Sequence, residues 1–371
     1  MRRILIYIPW FKPAFRAGGP IRSIDMLTAN YIGDAEFFIV CGNKDVDGTR
    51  IDGVVFDCWT KYNPNTQVWY HSGSFASLPL KNACKLINPS FIMLVGVFSW
   101  TYNLYPLLNL PKERLIWSVR GMLHPDAMNQ KRFKKQIVLK LLSFCSFIKK
   151  ITFHATDETE QGYVEKIFGS GVQVRKALNF PFVYKCADPV PKKSGTIHLL
   201  TVALISPMKN HLLILHSLMQ CKGDVVYDIV GAVKDVAYWN DCKELIEKMP
   251  SNIKVKYHGE KHPQDLESFY TNTHLLVLPS KSENFAHAIA EALSVGRPVI
   301  TSFNTPWNHL QENKAGINVA ADTFELLMAI EFFISMTQQE YNDYCYGARS
   351  YFDKHIDLKK IRNQYDNLFT Q

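Results

Sequence analysis

The chain has 371 residues, 47% of them hydrophobic and 20% charged, with a formal net charge of +8. That length exceeds what one core usually serves, so two domains of ordinary size are expected, and the composition excludes a disordered chain. The positive balance favours anionic partners such as sugar nucleotides, phospholipid surfaces or nucleic acid, and no apolar run approaches the roughly 18 residues of a membrane span.

In chain order, "MRRILIYIPWF" opens with two arginines and the apolar run Ile4 to Ile8, closed by Pro9. No small-residue cleavage site follows, so the run reads as a buried first strand rather than a signal peptide. Strand-like runs continue with "AEFFIVC", "FIMLVGV", "RLIWSV" and "KITFHAT". The second half repeats the pattern with "IHLLTVALI", "VVYDIVG", "IKVKYHG", "HLLVLPS" and "RPVITS". Continuous apolar runs separated by helical patterns predict parallel strands buried on both faces, hence doubly wound α/β sheets, twice over. The segment "YKCADPVPKKSGT" has linker composition. It divides an N-terminal domain, 1–185, from a C-terminal one, 197–350, with the linker at 186–196. A polar helical tail, 351–371, is expected to cross back onto the first lobe. The eight cysteines are scattered without a Cys-x-x-Cys pair and read as reduced thiols of a cytosolic protein.

Residues 129–151, "NQKRFKKQIVLKLLSFCSFIKKI", set Phe133, Ile137, Leu141, Phe144 and Ile148 on one helical face. Lys131, Arg132, Lys134, Lys135, Lys149 and Lys150 surround it. Two readings stand: a core-facing helix with a solvated basic flank, or a surface helix meeting anionic lipid headgroups.

Three stretches could carry chemistry. In "PSKSENFAHAIAEALSVGRPVI", Glu283 lies in the loop after a strand and Glu291 on the following helix, which stops at Gly296 and Pro298. Ligands of open α/β sheets bind at such strand ends, and a helix N-terminus suits phosphate. Glu283 could simply help cap the helix. Glu291, a carboxylate in an apolar helix, needs a partner. Arg297 or a neighbouring lysine would serve, or the vicinal hydroxyls of a ribose. In "SPMKNH", Lys209 stands at a strand-to-helix turn where it could meet a diphosphate or simply be solvated. In "FRAGGPIRSI", Gly18 and Gly19 allow close backbone approach to a ligand, or only a turn, and Pro20 suits the first helical turn. Asp45 and Asp47 have Asp-x-Asp spacing but read as a solvated turn. His258 and His262 flank Glu260 without a clear further metal ligand, so no metal is expected. The basic charge admits nucleic acid, yet no basic–aromatic motif supports it.

These residues resemble a known family, the group 1 glycosyltransferases, which are retaining GT-B enzymes. The 279–300 stretch resembles their Glu-x7-Glu region, "SPMKN" their phosphate-binding lysine loop and "AGGP" their N-terminal glycine loop. "VRGMLHPDAM" and "NTPW" are similar to members that build bacterial surface polysaccharides. The resemblance implies two Rossmann-like lobes facing across a cleft, and a hexosyl group moved with retention from a nucleoside-diphosphate sugar to a sugar hydroxyl. A lipid-linked saccharide is the implied acceptor. It implies catalytic roles for Glu283 on the donor sugar, Lys209 on the diphosphate and Arg120, with Arg120 or His124 taking the place of a family histidine. Donor binding would fall to Glu291 on the ribose, to Asn284, Phe285, Ala286 and His287, to Ser206 and Asn210, and to Gly18 and Gly19. His124 and Trp100 would meet the acceptor. No cofactor or metal is implied, and the expected location is cytoplasmic, with peripheral placement at the inner face of the plasma membrane through 129–151. The sequence departs from the family at Ala203-Leu204, where a glycine–arginine pair is usual, and at Ala286, where a glycine is usual. An epimerase of similar fold, or a non-catalytic sugar-nucleotide-binding subunit, is the alternative.

Overall fold

The computed structural model describes residues 1–31, 35–73, 79–129 and 132–370. The first sheet holds β1 (Arg2–Tyr7), β2 (Ala35–Gly42), β3 (Thr60–Asn63), β4 (Thr66–His71), β5 (Phe91–Val95), β6 (Leu115–Ser118), β7 (Thr152–Ala155) and β8 (Gln173–Lys176). Its order is β3-β4-β2-β1-β5-β6-β7-β8, parallel except for the β3–β4 pair. The second sheet holds β9 (Thr196–Val202), β10 (Asp224–Val230), β11 (Ile253–Tyr257), β12 (Leu275–Leu278), β13 (Val299–Ser302) and β14 (Gly316–Val319). Its order is β11-β10-β9-β12-β13-β14, parallel throughout.

The sequence explains this layout. Every residue of β5, β12 and β13 is buried, as strands covered on both faces require. Helices supply the covers: Leu199, Tyr227 and Ile229 of the second sheet pack with Ile214, Leu218, Ile330 and Phe333. In the first, Leu5, Ile92 and Trp117 pack with Leu107, Leu139 and Val164.

The chain forms two compact units, 1–180 with 358–371, and 181–357. The segment 177–193 has neither helix nor strand, and it is pinned rather than loose. Lys192 is buried, its Nζ donating to the carbonyls of Lys193, Ile334 and Met336. The helix Gln338–His355 belongs to the second unit and Leu358–Leu368 to the first.

The core-facing reading of the 129–151 stretch is corrected. On the helix Arg132–Ser143, and just after it, Phe133, Ile137, Leu141 and Phe144 are exposed by 76%, 44%, 64% and 78%. Leu139 and Leu142 are the buried pair, with Val138 packed beside them. Ile148 is buried in a separate short turn, Ser146–Lys150. Periodicity showed which residues share a face; it could not show which of two apolar faces the core would take. Lys131 lies outside the described residues.

Candidate functional site

In each sheet the strand order reverses at one place, and loops leaving the strands there open a crevice. In the second unit that place is between β9 and β12. The loop after β9 carries Ser206, Lys209 and Asn210, and the loop after β12 carries Glu283 to Ala286. The two loops are tied together. Lys281 N donates to Met208 O at 2.9 Å, and Asn210 Nδ2 to Pro279 O at 3.3 Å. Lys209 Nζ meets Glu283 Oε1 at 2.5 Å, with side-chain exposures of 22% and 10%. Ser280 Oγ donates to the same oxygen at 2.7 Å.

The "NTPW" segment forms the support. Asn304 O accepts from Glu283 N at 3.1 Å, and buried Trp307 donates its indole N–H to Phe285 O at 2.6 Å. Ala286 begins the helix His287–Val295 with φ of 57°, in the left-handed region. A Cβ is disfavoured there by about 1–2 kcal/mol, so the backbone at this place favours glycine. His287 packs edge-on against Phe285.

Glu291 is fully buried on that helix. The partner the structure shows for its carboxylate was not foreseen. Tyr270 donates its hydroxyl to Glu291 Oε2 at 2.8 Å. Arg297, also fully buried, donates to Asp188 O and Thr271 O. The sequence reading missed Tyr270 and Ser280, and nothing in their local pattern singles them out. It also missed His211, the residue after Asn210. That ring is fully buried, and burial with the charge of Lys209 lowers its pKa to about 4, so it is neutral at pH 7.

In the first unit the order reverses between β1 and β5. Gly18 follows β1 with φ of 71° and ψ of −123°, a conformation that needs glycine, and it caps the helix Gly19–Asn30. A Cβ on Gly19 would meet open space, so no neighbour in the protein demands that glycine. Asp45 is not the solvated turn residue expected. It is buried, and its Oδ2 accepts from Phe15 N at 2.9 Å and Arg16 N at 3.2 Å, fixing the approach to Gly18. Asp47 behaves as expected at the surface, paired with Arg16 at 2.8 Å.

After β5, Trp100 is 54% exposed at the start of a single π-helical turn, Trp100–Leu104. After β6, Arg120 takes φ of 50° and donates to Asn179 Oδ1, while Gly121 N donates to buried Glu160. Glu160 also accepts from Thr156 N and Oγ1, so it anchors the turn. His124 packs edge-on against Tyr163 at 5.3 Å. The structure therefore gathers Gly18, Gly19, Trp100, Arg120 and His124 on loops that leave neighbouring strands. It gathers Ser206, Lys209, Asn210, Glu283 and Asn284–His287 at the reversal in the second unit.

His258, which flanks Glu260, bonds through Nε2 to Asp228 Oδ1 at 2.9 Å, and His198 Nε2 bonds to Oδ2 at 2.8 Å. The two imidazoles thus share one carboxylate. Among the described residues there is no cluster of three or more His, Cys, Asp or Glu suited to a metal ion.

Residues 187–335 match the family model for Glycosyl transferases group 1. No curated protein matches the chain in sequence. Solved structures share its whole length. Sucrose-phosphate synthase from Thermosynechococcus elongatus superposes with a TM-score of 0.76 at 15% identity, covering 100% of this chain and 98% of that one. Anabaena Alr3699/HepE in complex with UDP-glucose gives 0.71 at 15%, covering 99% of each. WaaG, a glycosyltransferase involved in lipopolysaccharide biosynthesis, gives 0.67 at 13%, covering 100% of each. At these identities the likeness establishes the fold: two Rossmann-like domains with parallel sheets, as in GT-B glycosyltransferases.

Proposed function

From the match of residues 187–335 to the family model for group 1 glycosyl transferases we propose that the protein moves a hexosyl group from a nucleoside-diphosphate sugar to a sugar hydroxyl. The observation that carries the reading is the Lys209–Glu283 pair, held by two cross-linked loops at the strand-order reversal of the second unit. Lys209 can exchange its carboxylate for the donor diphosphate, and Glu283, released, then faces the sugar. The backbone N–H groups opening the helix His287–Val295 add partial positive charge. Glu291 serves the ribose, with Tyr270 fixing its orientation.

In the reaction the sugar C1–oxygen bond to the diphosphate breaks and a C1–oxygen bond to the acceptor forms. The acceptor's proton leaves with the diphosphate. Lys209 and the helix N-terminus stabilise the negative charge that develops on the leaving group, so the proposed reaction needs no metal. Retention of configuration is part of the proposal, and the anomeric signal of the product reports it. Two similar structures, Anabaena Alr3699/HepE in complex with UDP-glucose and WaaG, involved in lipopolysaccharide biosynthesis, support a UDP-sugar as first donor to test and surface polysaccharide as the setting. A lipid-linked saccharide acceptor and a cytoplasmic, peripheral location follow from that setting. Among the described residues no helix is long and apolar enough to cross a membrane.

The test is turnover of UDP-, GDP- and dTDP-sugars with and without saccharide acceptors, in the presence of EDTA. Acceptor-dependent release of nucleoside diphosphate supports the transferase. Release without an acceptor would favour an epimerase-like enzyme. Binding without turnover would favour a non-catalytic subunit, the reading that Leu204 in place of an arginine suggests.

A further inference from the structure

We propose that the outward face of the helix Arg132–Ser143 docks on an anionic lipid surface. Phe133, Ile137 and Leu141 lie four residues apart on it, and Phe144 follows three later, so they form one stripe. All four are exposed, two of them by more than three quarters. A contiguous apolar stripe of this kind marks an interaction site, whereas single exposed apolar residues do not.

Charge selects the occupant. Residues 129–151 contain seven Lys and Arg and no Asp or Glu. Lys134, Lys140, Lys149 and Lys150 are exposed around the stripe. Lys135 is turned inward, donating to Ala127 O at 2.6 Å and lying 5.1 Å from the Phe98 ring centre. Glu113 lies 3.9 Å from Lys150, both side chains well exposed, where screening weakens the pair. Apolar side chains can enter the acyl boundary while lysines reach the headgroup phosphates, a match that a neutral surface would not give.

On the helix Thr323–Ser335, Phe324, Met328 and Phe332 form a second exposed stripe. That stripe is flanked by Asp322, Glu325 and Glu331, which anionic headgroups would repel. Only the basic one carries the proposal. Docking would also bring the Arg120 and His124 turn, a few residues upstream, toward a lipid-borne acceptor. That consequence rests on the proposed transfer reaction; the docking itself does not.

The test is co-sedimentation with phosphatidylcholine vesicles, with and without phosphatidylglycerol, at low and high salt. Two variants accompany the wild type: Lys134→Ser/Lys140→Ser/Lys149→Ser/Lys150→Ser, and Phe133→Ser/Leu141→Ser/Phe144→Ser. Circular dichroism and UDP-sugar calorimetry check that each variant is folded and that donor binding is separate. The wild type should pellet with the anionic vesicles alone and be released by high salt. Each lysine removed should lower partitioning about fivefold, and the apolar variant should lose binding with its charges intact. The proposal is overturned if the wild type ignores anionic vesicles, or if either variant binds them equally well. It is also overturned if wild type forms a dimer that the apolar variant abolishes and neither binds vesicles, since the face then belongs to a second copy.

Discussion

Lys209 and Glu283, 74 residues apart in sequence, meet at 2.5 Å between loops that leave adjacent parallel strands. The carboxylate therefore occupies the cation that the proposed reaction needs for the diphosphate. Glu283→Gln removes this internal competitor while keeping size and hydrogen-bonding capacity. Affinity for UDP should stay the same or rise, while sugar transfer falls by at least about tenfold, the loss of one charged contact to the reacting sugar. Calorimetry and turnover on the same preparation check both halves. A variant that loses UDP affinity and keeps its rate would reverse the roles.

Glu291 is buried with Tyr270 as its hydrogen-bond donor. Glu291→Gln should weaken UDP binding by about 1.5–3 kcal/mol, because a charged acceptor for ribose hydroxyls becomes a neutral amide. The 2′,3′-dideoxy analogue should bind both proteins alike. Tyr270→Phe should cost about 1 kcal/mol of stability and change affinity less. An equal loss for UDP and its dideoxy analogue would remove the ribose role.

Ala286 occupies a left-handed conformation at the start of its helix. Ala286→Gly should raise stability by about 0.5–1 kcal/mol, the relief of Cβ strain less the extra freedom of glycine in the unfolded chain. Thermal unfolding should shift upward by about 1–4 °C. A lower melting temperature would mean that the alanine methyl makes contacts worth more than the strain.

Acid should act on the fold in two windows. Burial lowers the pKa of His154 to about 3, with Arg120 adding to it, and that of His211 to about 4. Burial likewise lowers His274 to about 4. The unfolded chain takes up these protons near pH 6.5 and the folded one does not, so stability falls as pH drops from about 6.5 toward 4. The carboxyl of Asp228 is raised by burial, but its bonds to His258 and His198 outweigh this and hold it below the usual range. Its contribution is present above the unfolded value of about 3.9 and is lost as pH falls through the folded value. Urea unfolding against pH should show the first decline in His211→Gln reduced. The stability gap between wild type and Asp228→Asn should close only in strong acid. A gap independent of pH would contradict this role for the carboxylate.

Much of the fold was legible because buried parallel strands read as unbroken apolar runs. "FIMLVGV" and "HLLVLPS" announced β5 and β12. The edge strands β3, β8 and β14 were not legible: "TKYN" and "QVRK" are short, polar and mostly uncovered, and "GINV", though largely buried, is only four residues long and interrupted by a glycine and an asparagine. The Lys209 and Glu283 loops were legible from their positions after strands. Their mutual contact was not, since it depends on the strand order β9-β12, which no local pattern encodes. For the same reason Tyr270 could not be found as the partner of Glu291, because it lies on a separate helix, Leu266–Thr271. Asp45 was misjudged because turn composition says nothing about a carboxylate that caps a distant backbone segment.

In the proposed function, Lys209 and its loop bind the diphosphate of a sugar nucleotide. The most direct measurement is calorimetric titration of UDP-glucose, with GDP- and dTDP-sugars alongside, into wild type and Lys209→Ala. Binding by the wild type, weakened about 10- to 100-fold in the variant through loss of a charge-assisted contact, is the predicted result. No binding of any sugar nucleotide by the folded wild type, or equal binding by the variant, would contradict it.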